Sequence, residues 1–179
     1  SGAHFFQYDY EFDNRMENYR RPQADWLLFY TMASKANEII SSFPNGVTTV
    51  GEKALVGQAY AIRGWAYYYL IQIYQNPTAA DGTIDRNAPG VPLMYVSVEG
   101  KSASEIASFK GRNTVGAVMD QIESDLTNAV EYLSVGYQRP NKDYIDVNVA
   151  NGLLARYYLL AKQWQKAADA AVEKALQEQ

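Results

Sequence analysis

One stretch, ALVGQAYAIRGWAYYYLIQIYQ from Ala54 to Gln75, offers water almost nothing to hold. Leu55, Ala59, Ile62, Ala66, Tyr69 and Ile73 recur at steps of four and three, which is one face of an α-helix. A second apolar stripe, Ala61, Trp65 and Tyr68 with Leu70 and Tyr74, runs beside it, and only Gln58, Arg63, Gly64 and Gln72 interrupt the surface. A helix apolar nearly all round has to be covered on more than one side. The stretch therefore predicts the core helix of an all-α protein. Gly57, Ala61 and Gly64 put small residues on a shared face where another helix backbone can approach. Because Gly costs about 1 kcal/mol against Ala inside a helix, packing is the expected reason for two of them. Arg63 is the charged intrusion. A buried cation needs partners, so its guanidinium is expected to bond a carboxylate or helix-end carbonyls in a structural role, with Trp65 packing beside it.

Other helices follow from the same periodicity. One is expected from about Ala24 to Phe43, started at Asp25 or the Pro22 region and ended by Pro44-Asn45-Gly46. Trp26, Tyr30, Ala33, Asn37 and Ile40 mark its inner face. Asn37 reads as a satisfied core amide that fixes one packing. Asn113 or Thr114 caps a third helix through Leu133, with Val118, Ile122, Leu126, Ala129 and Leu133 buried. Its acids, Asp120, Glu123, Asp125 and Glu131, read as a solvated face. A fourth helix over 147–161 and a fifth over 164–177 are joined by so short a turn that they must be antiparallel neighbours. Between the second and third helices lies a long irregular loop, 76–112, of a length that often carries function. Its one extended apolar piece, GVPLMYV at 90–96, is expected to lie along the helices. Residues 1–22 are aromatic and charged without clear periodicity; Tyr8, Tyr10 and Phe12 alternate with Asp9, Glu11 and Asp13 like a short strand, but no second strand follows, so a loop or short irregular segment is expected there.

Composition narrows the function classes. Apolar residues make up 47% and charged residues 20% of the chain, which excludes a disordered polymer. A net charge of −4 supplies no basic field for nucleic acid or an anionic bilayer. No run is long and apolar enough for a membrane helix, and Ser1-Gly2-Ala3 does not open a signal peptide. Cysteine is absent, which removes disulfides and thiolate chemistry. His4 is the only histidine, so neither a Ser-His-Asp triad nor a His-based metal site is expected away from the terminus. Gly46 to Lys53 imitates a phosphate loop but displaces the Lys and lacks the strand before it. Asp81, Asp85 and Asn87 offer oxygen ligands at short spacing. They read as solvated turn residues before they read as a loop calcium site. Glu123 and Asp125, two residues apart on a helix, do not share a face and make no glycosidase pair. No cofactor or metal is expected, and a helical hydrolase is disfavoured.

The pair of helices in NGLLARYYLLAKQWQKAADAAVEKAL, residues 151–176, resembles a tetratricopeptide repeat of about 34 residues. Asn151, Leu154, Ala155, Tyr158, Trp164, Ala167 and Ala171 fall at its packing positions, with the terminal Ala175-Leu176 one residue late. Five segments in order extend the resemblance: WLLFYTMASKANEII (26–40), QAYAIRGWAYYYLIQIY (58–74), GVPLM (90–94), RNTVGAVMDQIESDLTNAVEYL (112–133) and VANGLLARYYLLAKQWQKAADAA (149–171). Together they resemble the N-terminal portion of the SusD/RagB family, nutrient-binding lipoproteins of the Bacteroidetes outer membrane. Gln75-Asn76 departs from the Gly usual after the aromatic, and no lipid-anchor Cys is present. The resemblance implies a fold of tetratricopeptide-like antiparallel helical hairpins. It implies a single helical domain over 1–179, truncated at its C-terminal end. It implies non-catalytic capture of an oligosaccharide at the cell surface beside a TonB-dependent (SusC-like) transporter, with the membrane reached only through a lipid anchor.

Sugar recognition needs an aromatic platform beside planar hydrogen-bonding groups. Tyr19, Arg20, Arg21, Asp25 and Trp26 at the mouth of the first helix have that chemistry, as do Tyr8 and Tyr10 less compactly. The plainer reading makes Trp26 a first-turn core residue, by its in-phase spacing. The other reading of the whole chain is a helical-repeat adaptor that binds a peptide or protein in its groove.

Overall fold

The computed structural model describes residues 20–95, 102, 104, 105 and 111–177. Five long helices carry these residues: α1 (Arg20–Ser41), α2 (Val50–Tyr74), α3 (Val115–Leu133), α4 (Val147–Leu160) and α5 (Trp164–Gln177). The described residues hold no strand beyond the isolated antiparallel bridges Thr78–Ile84 and Pro89–Thr114. The fold is all-α, as the periodicity requires. No described helix is long and apolar enough to cross a membrane.

Local chemistry fixes the helix starts. Thr49 and Glu52 form a capping box on α2: Glu52 N donates to Thr49 Oγ1 at 3.2 Å and Thr49 N to Glu52 Oε2 at 2.9 Å. Thr114 caps α3 by accepting from Ala117 N at 3.2 Å. The next orphan donors of that first turn go to the preceding loop, Val115 N to Ala88 O and Gly116 N to Arg86 O, both at 2.8 Å. Asp146 caps α4 through Val149 N at 2.9 Å. α1 begins earlier than the sequence predicts, at Arg20, because Pro22 in a first turn forfeits no helical hydrogen bond.

α2 lies between α1 and α3 and runs antiparallel to both. Trp26 meets Tyr74, Phe29 meets Tyr69 and Asn37 meets Arg63 across the first pair. Tyr60 meets Tyr132 and Arg63 meets Asp125 across the second. The two glycines set the close approach to α3. A Cβ on Gly57 would sit 2.9 Å from Leu133 Cγ, and one on Gly64 would sit 3.0 Å from Leu126 Cγ. The buried side of α2 runs through Ala54, Val56, Ala59, Ala61, Ala66, Tyr67, Leu70 and Ile71. Leu55 and Ile73, expected on a buried stripe, are 45% and 47% exposed. Helices pack on two sides of α2, and the third faces outward.

Two further expectations need correction. Asp125, read as part of a solvated face, is 0% exposed. Gly64 opens the room for it, since a Cβ there would stand 3.2 Å from Asp125 Cβ. Trp164, expected at a packing position, is 63% exposed at the first residue of α5. Ala167 packs into the core as expected, together with Ala170, while Trp164, at the open end of the helix, is not covered by them.

Candidate functional site

The most concentrated polar chemistry in the described core joins α1, α2, α3 and the extended segment 90–95. Arg63 grips Asp125 with two parallel bonds, Nε to Oδ2 at 2.9 Å and Nη2 to Oδ1 at 2.7 Å. Its Nη1 donates to Asn37 Oδ1 at 2.8 Å, and Gln121 Nε2 donates to Asp125 Oδ1 at 2.8 Å. Asn37 turns its amide N–H to Met94 O at 2.8 Å. Tyr67 OH accepts from Met94 N at 2.8 Å and donates to Met94 O at 3.0 Å, while Tyr30 OH donates to Pro92 O at 2.7 Å. Leu93 N donates to Asn113 Oδ1 at 2.8 Å. The segment is thus laid along the helices, as its apolar character predicts, and held by their polar side chains. At its end Tyr95 is 49% exposed, with its hydroxyl donating to Gln121 Oε1 at 2.6 Å and its ring centroid 5.7 Å from the Arg63 guanidinium carbon. Tyr60 lies on the same guanidinium at 5.4 Å and stacks on Tyr132.

Electrostatics in this node pull in opposite senses. Burial pushes the Asp125 carboxyl above its ordinary range while Arg63 draws it back. Burial likewise opposes the Arg63 charge, but Asp125 outweighs it and holds the guanidinium above its usual value. Bidentate geometry with Asn37 and Gln121 as further partners keeps the pair ionised at neutral pH. Burial raises the Tyr30 and Tyr67 hydroxyls, so both remain protonated donors.

At the mouth of α1 the predicted ligand cluster is only partly on view. Tyr10 and Tyr19 lie outside the described residues, as does the side chain of Arg20, the first residue of α1. Trp26 is half-buried, its ring 4.8 Å from that of Tyr30 and 4.7 Å, edge-on, from that of Tyr74. Its indole N–H is buried without a hydrogen-bond partner. Tyr74 donates to Pro22 O, and burial with the nearby Asp25 charge pushes its hydroxyl up to about 12. Trp65 is half-buried and edge-on to Tyr69 at 5.6 Å. In the loop, Asp81 Oδ1 accepts from Thr83 N and Oγ1, and Asp85 Oδ1 from Asn87 N and Ala88 N. These are turn bonds, and no group of three or more metal-ligating side chains occurs among the described residues.

Sequence reasoning singled out Arg63 and Asn37 but missed Asp125, Gln121 and Tyr95. The signal for Asp125 was available. It lies three residues past Ile122 and four before Ala129, on the buried face of α3, and a buried cation on α2 was already asking for a carboxylate.

Fold and node together define an all-α scaffold of antiparallel helices that clasps an extended segment. The chain belongs to the SusD/RagB family: a family model described as starch-binding and associating with the outer membrane matches residues 3–159. Among solved structures it is similar to a SusD-like carbohydrate-binding protein from Bacteroides vulgatus, with TM-score 0.71 and 29% identity over 86% of this chain and 31% of that one. A SusD superfamily protein from Bacteroides thetaiotaomicron matches with TM-score 0.66 and 26% identity over 84% of this chain and 31% of that one. A laminarin-binding SusD-like protein matches with TM-score 0.59 and 25% identity, over 83% of this chain and 29% of that one. The chain therefore spans about a third of the length of the structures it resembles. No curated protein sequence matches it.

Proposed function

We propose that the protein binds an oligosaccharide at the bacterial cell surface, without catalysis, as the lipid-anchored partner of a TonB-dependent (SusC-like) transporter. The observation that carries the reading is the family match over residues 3–159, and kinship with carbohydrate-binding and laminarin-binding structures supports it. The helices act as scaffold. Tyr95, at the end of the clasped segment, offers a half-exposed ring steadied by Gln121 and Arg63, the rigid aromatic and polar combination that sugar faces require. Trp26, braced against Tyr30 and Tyr74 at the mouth of α1, is a further candidate contact, and Tyr10, Tyr19 and Arg20 remain candidates on their chemistry alone. Trp164 and Leu159, 63% and 52% exposed on the α4–α5 hairpin, give the transporter an apolar surface.

Calorimetry of the full-length protein against a panel of starch and β-glucan oligosaccharides tests this, with Tyr95→Ala and Arg20→Ala weakening binding. Co-isolation of an outer-membrane transporter from the parent cells is the matching result for the partner. If no glycan binds and a soluble peptide or protein co-purifies instead, the adaptor reading replaces this one.

A further inference from the structure

The dipeptide Asn-Gly occurs twice in the chain, as Asn45-Gly46 and as Asn151-Gly152, and the fold treats the two differently. Asparagine is a thermolabile residue. Its side-chain amide carbon is open to attack by the backbone nitrogen of the next residue, and a glycine there carries no Cβ to block the approach. Asn45 and Gly46 are both exposed, in the turn between α1 and α2. Gly46 sits at φ +83°, and a Cβ built on it would meet nothing within 4 Å, so the space around the attacking nitrogen is empty. Its N–H donates to Phe43 O at 3.0 Å, the bond that closes a turn with Pro44 and Asn45 at its centre. An exposed turn of this kind opens at little cost. Asn151 is 2% exposed inside α4, where the Gly152 N–H is committed to the helix ladder. Freeing that nitrogen means unwinding a packed helix.

We propose that Asn45 is a site of spontaneous deamidation, with water as the co-reactant, and that α4 shields Asn151 from the same reaction. A solvent base takes the proton from Gly46 N, which attacks Asn45 Cγ. The N–Cγ bond forms, the Cγ–Nδ2 bond breaks, and Nδ2 leaves as ammonia. Water then opens the cyclic imide. Attack at Cγ restores the original backbone as aspartate, and attack at the main-chain carbonyl leaves the chain running through the side chain as isoaspartate. Either way one neutral amide becomes one carboxylate, and the formal net charge goes from −4 to −5. The new charge stands just beyond Ser41, the last residue of α1, at the end of the helix dipole that disfavours an anion. Asp81-Gly82 has a glycine of the same hand, at φ +83°. There the leaving group would come from a carboxylate that Thr83 N and Oγ1 already hold, so the reaction is specific to the amide.

The test incubates the folded 179-residue chain at mildly alkaline pH and follows it by anion exchange and by mass spectrometry of its peptides. A later-eluting, more acidic form is expected to accumulate, with the amide-to-acid mass gain on the peptide holding Asn45 and that peptide split into aspartate and isoaspartate isomers. Conversion at Asn151 should be slower by about tenfold or more, because a helix interior opens far less often than an exposed turn. In urea, which removes the helix, the two rates should converge. Asn45→Gln lengthens the side chain by one methylene, keeps the charge and should abolish the early acidic form; far-UV circular dichroism checks that it is folded. An Asn45 peptide that stays unconverted overturns the proposal, and so does an Asn151 rate within about tenfold of the Asn45 rate in the folded chain. Persistence of the early acidic form in the Asn45→Gln variant also overturns it, since the new charge then arises elsewhere.

Discussion

Asp125→Ala is the sharpest perturbation of the core. It deletes the carboxylate and leaves Arg63, a residue 8% exposed, without a counter-charge. Asn37 Oδ1 is then its one remaining side-chain acceptor in the node. Breaking a buried pair by removing one partner costs about 3–5 kcal/mol, because the survivor is an uncompensated charge. Against a domain stability of about 5–15 kcal/mol that is a large fraction. At about 2–4 °C per kcal/mol for a chain of this size, the melting temperature falls by roughly 6–20 °C. Arg63→Met with Asp125→Leu removes both charges and refills the volume, and such replacements are often neutral or stabilising. Here Asn37 Oδ1 and Gln121 Nε2 each lose a partner, so the double variant is expected to lose about 1–2 kcal/mol, clearly less than the single. Urea unfolding followed by far-UV circular dichroism, run as a double-mutant cycle, measures both. Hydrogen exchange at the Met94 amide adds a local readout, because Asn37 ties the node to that segment. A loss below about 1 kcal/mol for Asp125→Ala refutes the argument, as does a double variant no better than the single.

Four further outcomes follow from packing and capping. Gly57→Ala gains about 1 kcal/mol of helix propensity but forces a methyl to 2.9 Å from Leu133 Cγ, an overpacking cost of about 1–3 kcal/mol. It should lower the urea midpoint, whereas Gly152→Ala, with nothing within 4 Å, should raise stability by about 0.4–1 kcal/mol. Tyr67→Phe leaves the Met94 N–H without its phenolic acceptor and should cost about 1–3 kcal/mol, with faster exchange confined to 92–95. Glu52 is held near 2 by the Thr49 and Thr48 backbone N–H groups. Its depressed folded pKa stabilises the protein above the ordinary value of 4.5, and that contribution fades as pH falls from there through about 2. Glu52→Gln should therefore be less stable than the parent above pH 4.5, with the gap closing on acidification, as measured by melting temperature against pH.

Helix placement was legible because it depends on short-range order. Thr114 as cap, the 164–177 span and the tight turn at Lys162 are all written within a few residues of where they act. Partner choice was not legible. Arg63 and Asn37 each stood out as the wrong kind of residue on an apolar face, yet nothing local says that they meet each other and Asp125, far along the chain. Asp125 was misread because charge is usually solvated, and that prior outweighed its in-phase position on α3. Trp164 was misplaced for the reverse reason: a repeat pattern assigned it a neighbour, and at the first residue of α5 none of the described residues covers it.

The polar residues that look out of place in the helices share one physical cause. Segment 90–95 is not helical, yet Val91, Leu93 and Met94 are 1%, 7% and 2% exposed. Buried backbone outside regular structure must still satisfy its N–H and C=O groups. Tyr30, Asn37, Tyr67 and Asn113 supply those bonds at Pro92, Met94 and Leu93. Arg63 then orients Asn37, and Asp125 neutralises Arg63. An apolar substitute at any of these positions would pack well and leave the segment unpaired. The chain of demands therefore runs from a buried loop to an amide, from the amide to a cation, and from the cation to a carboxylate. Its outward product is Tyr95, an aromatic ring held at the surface by the same Gln121 that donates to Asp125.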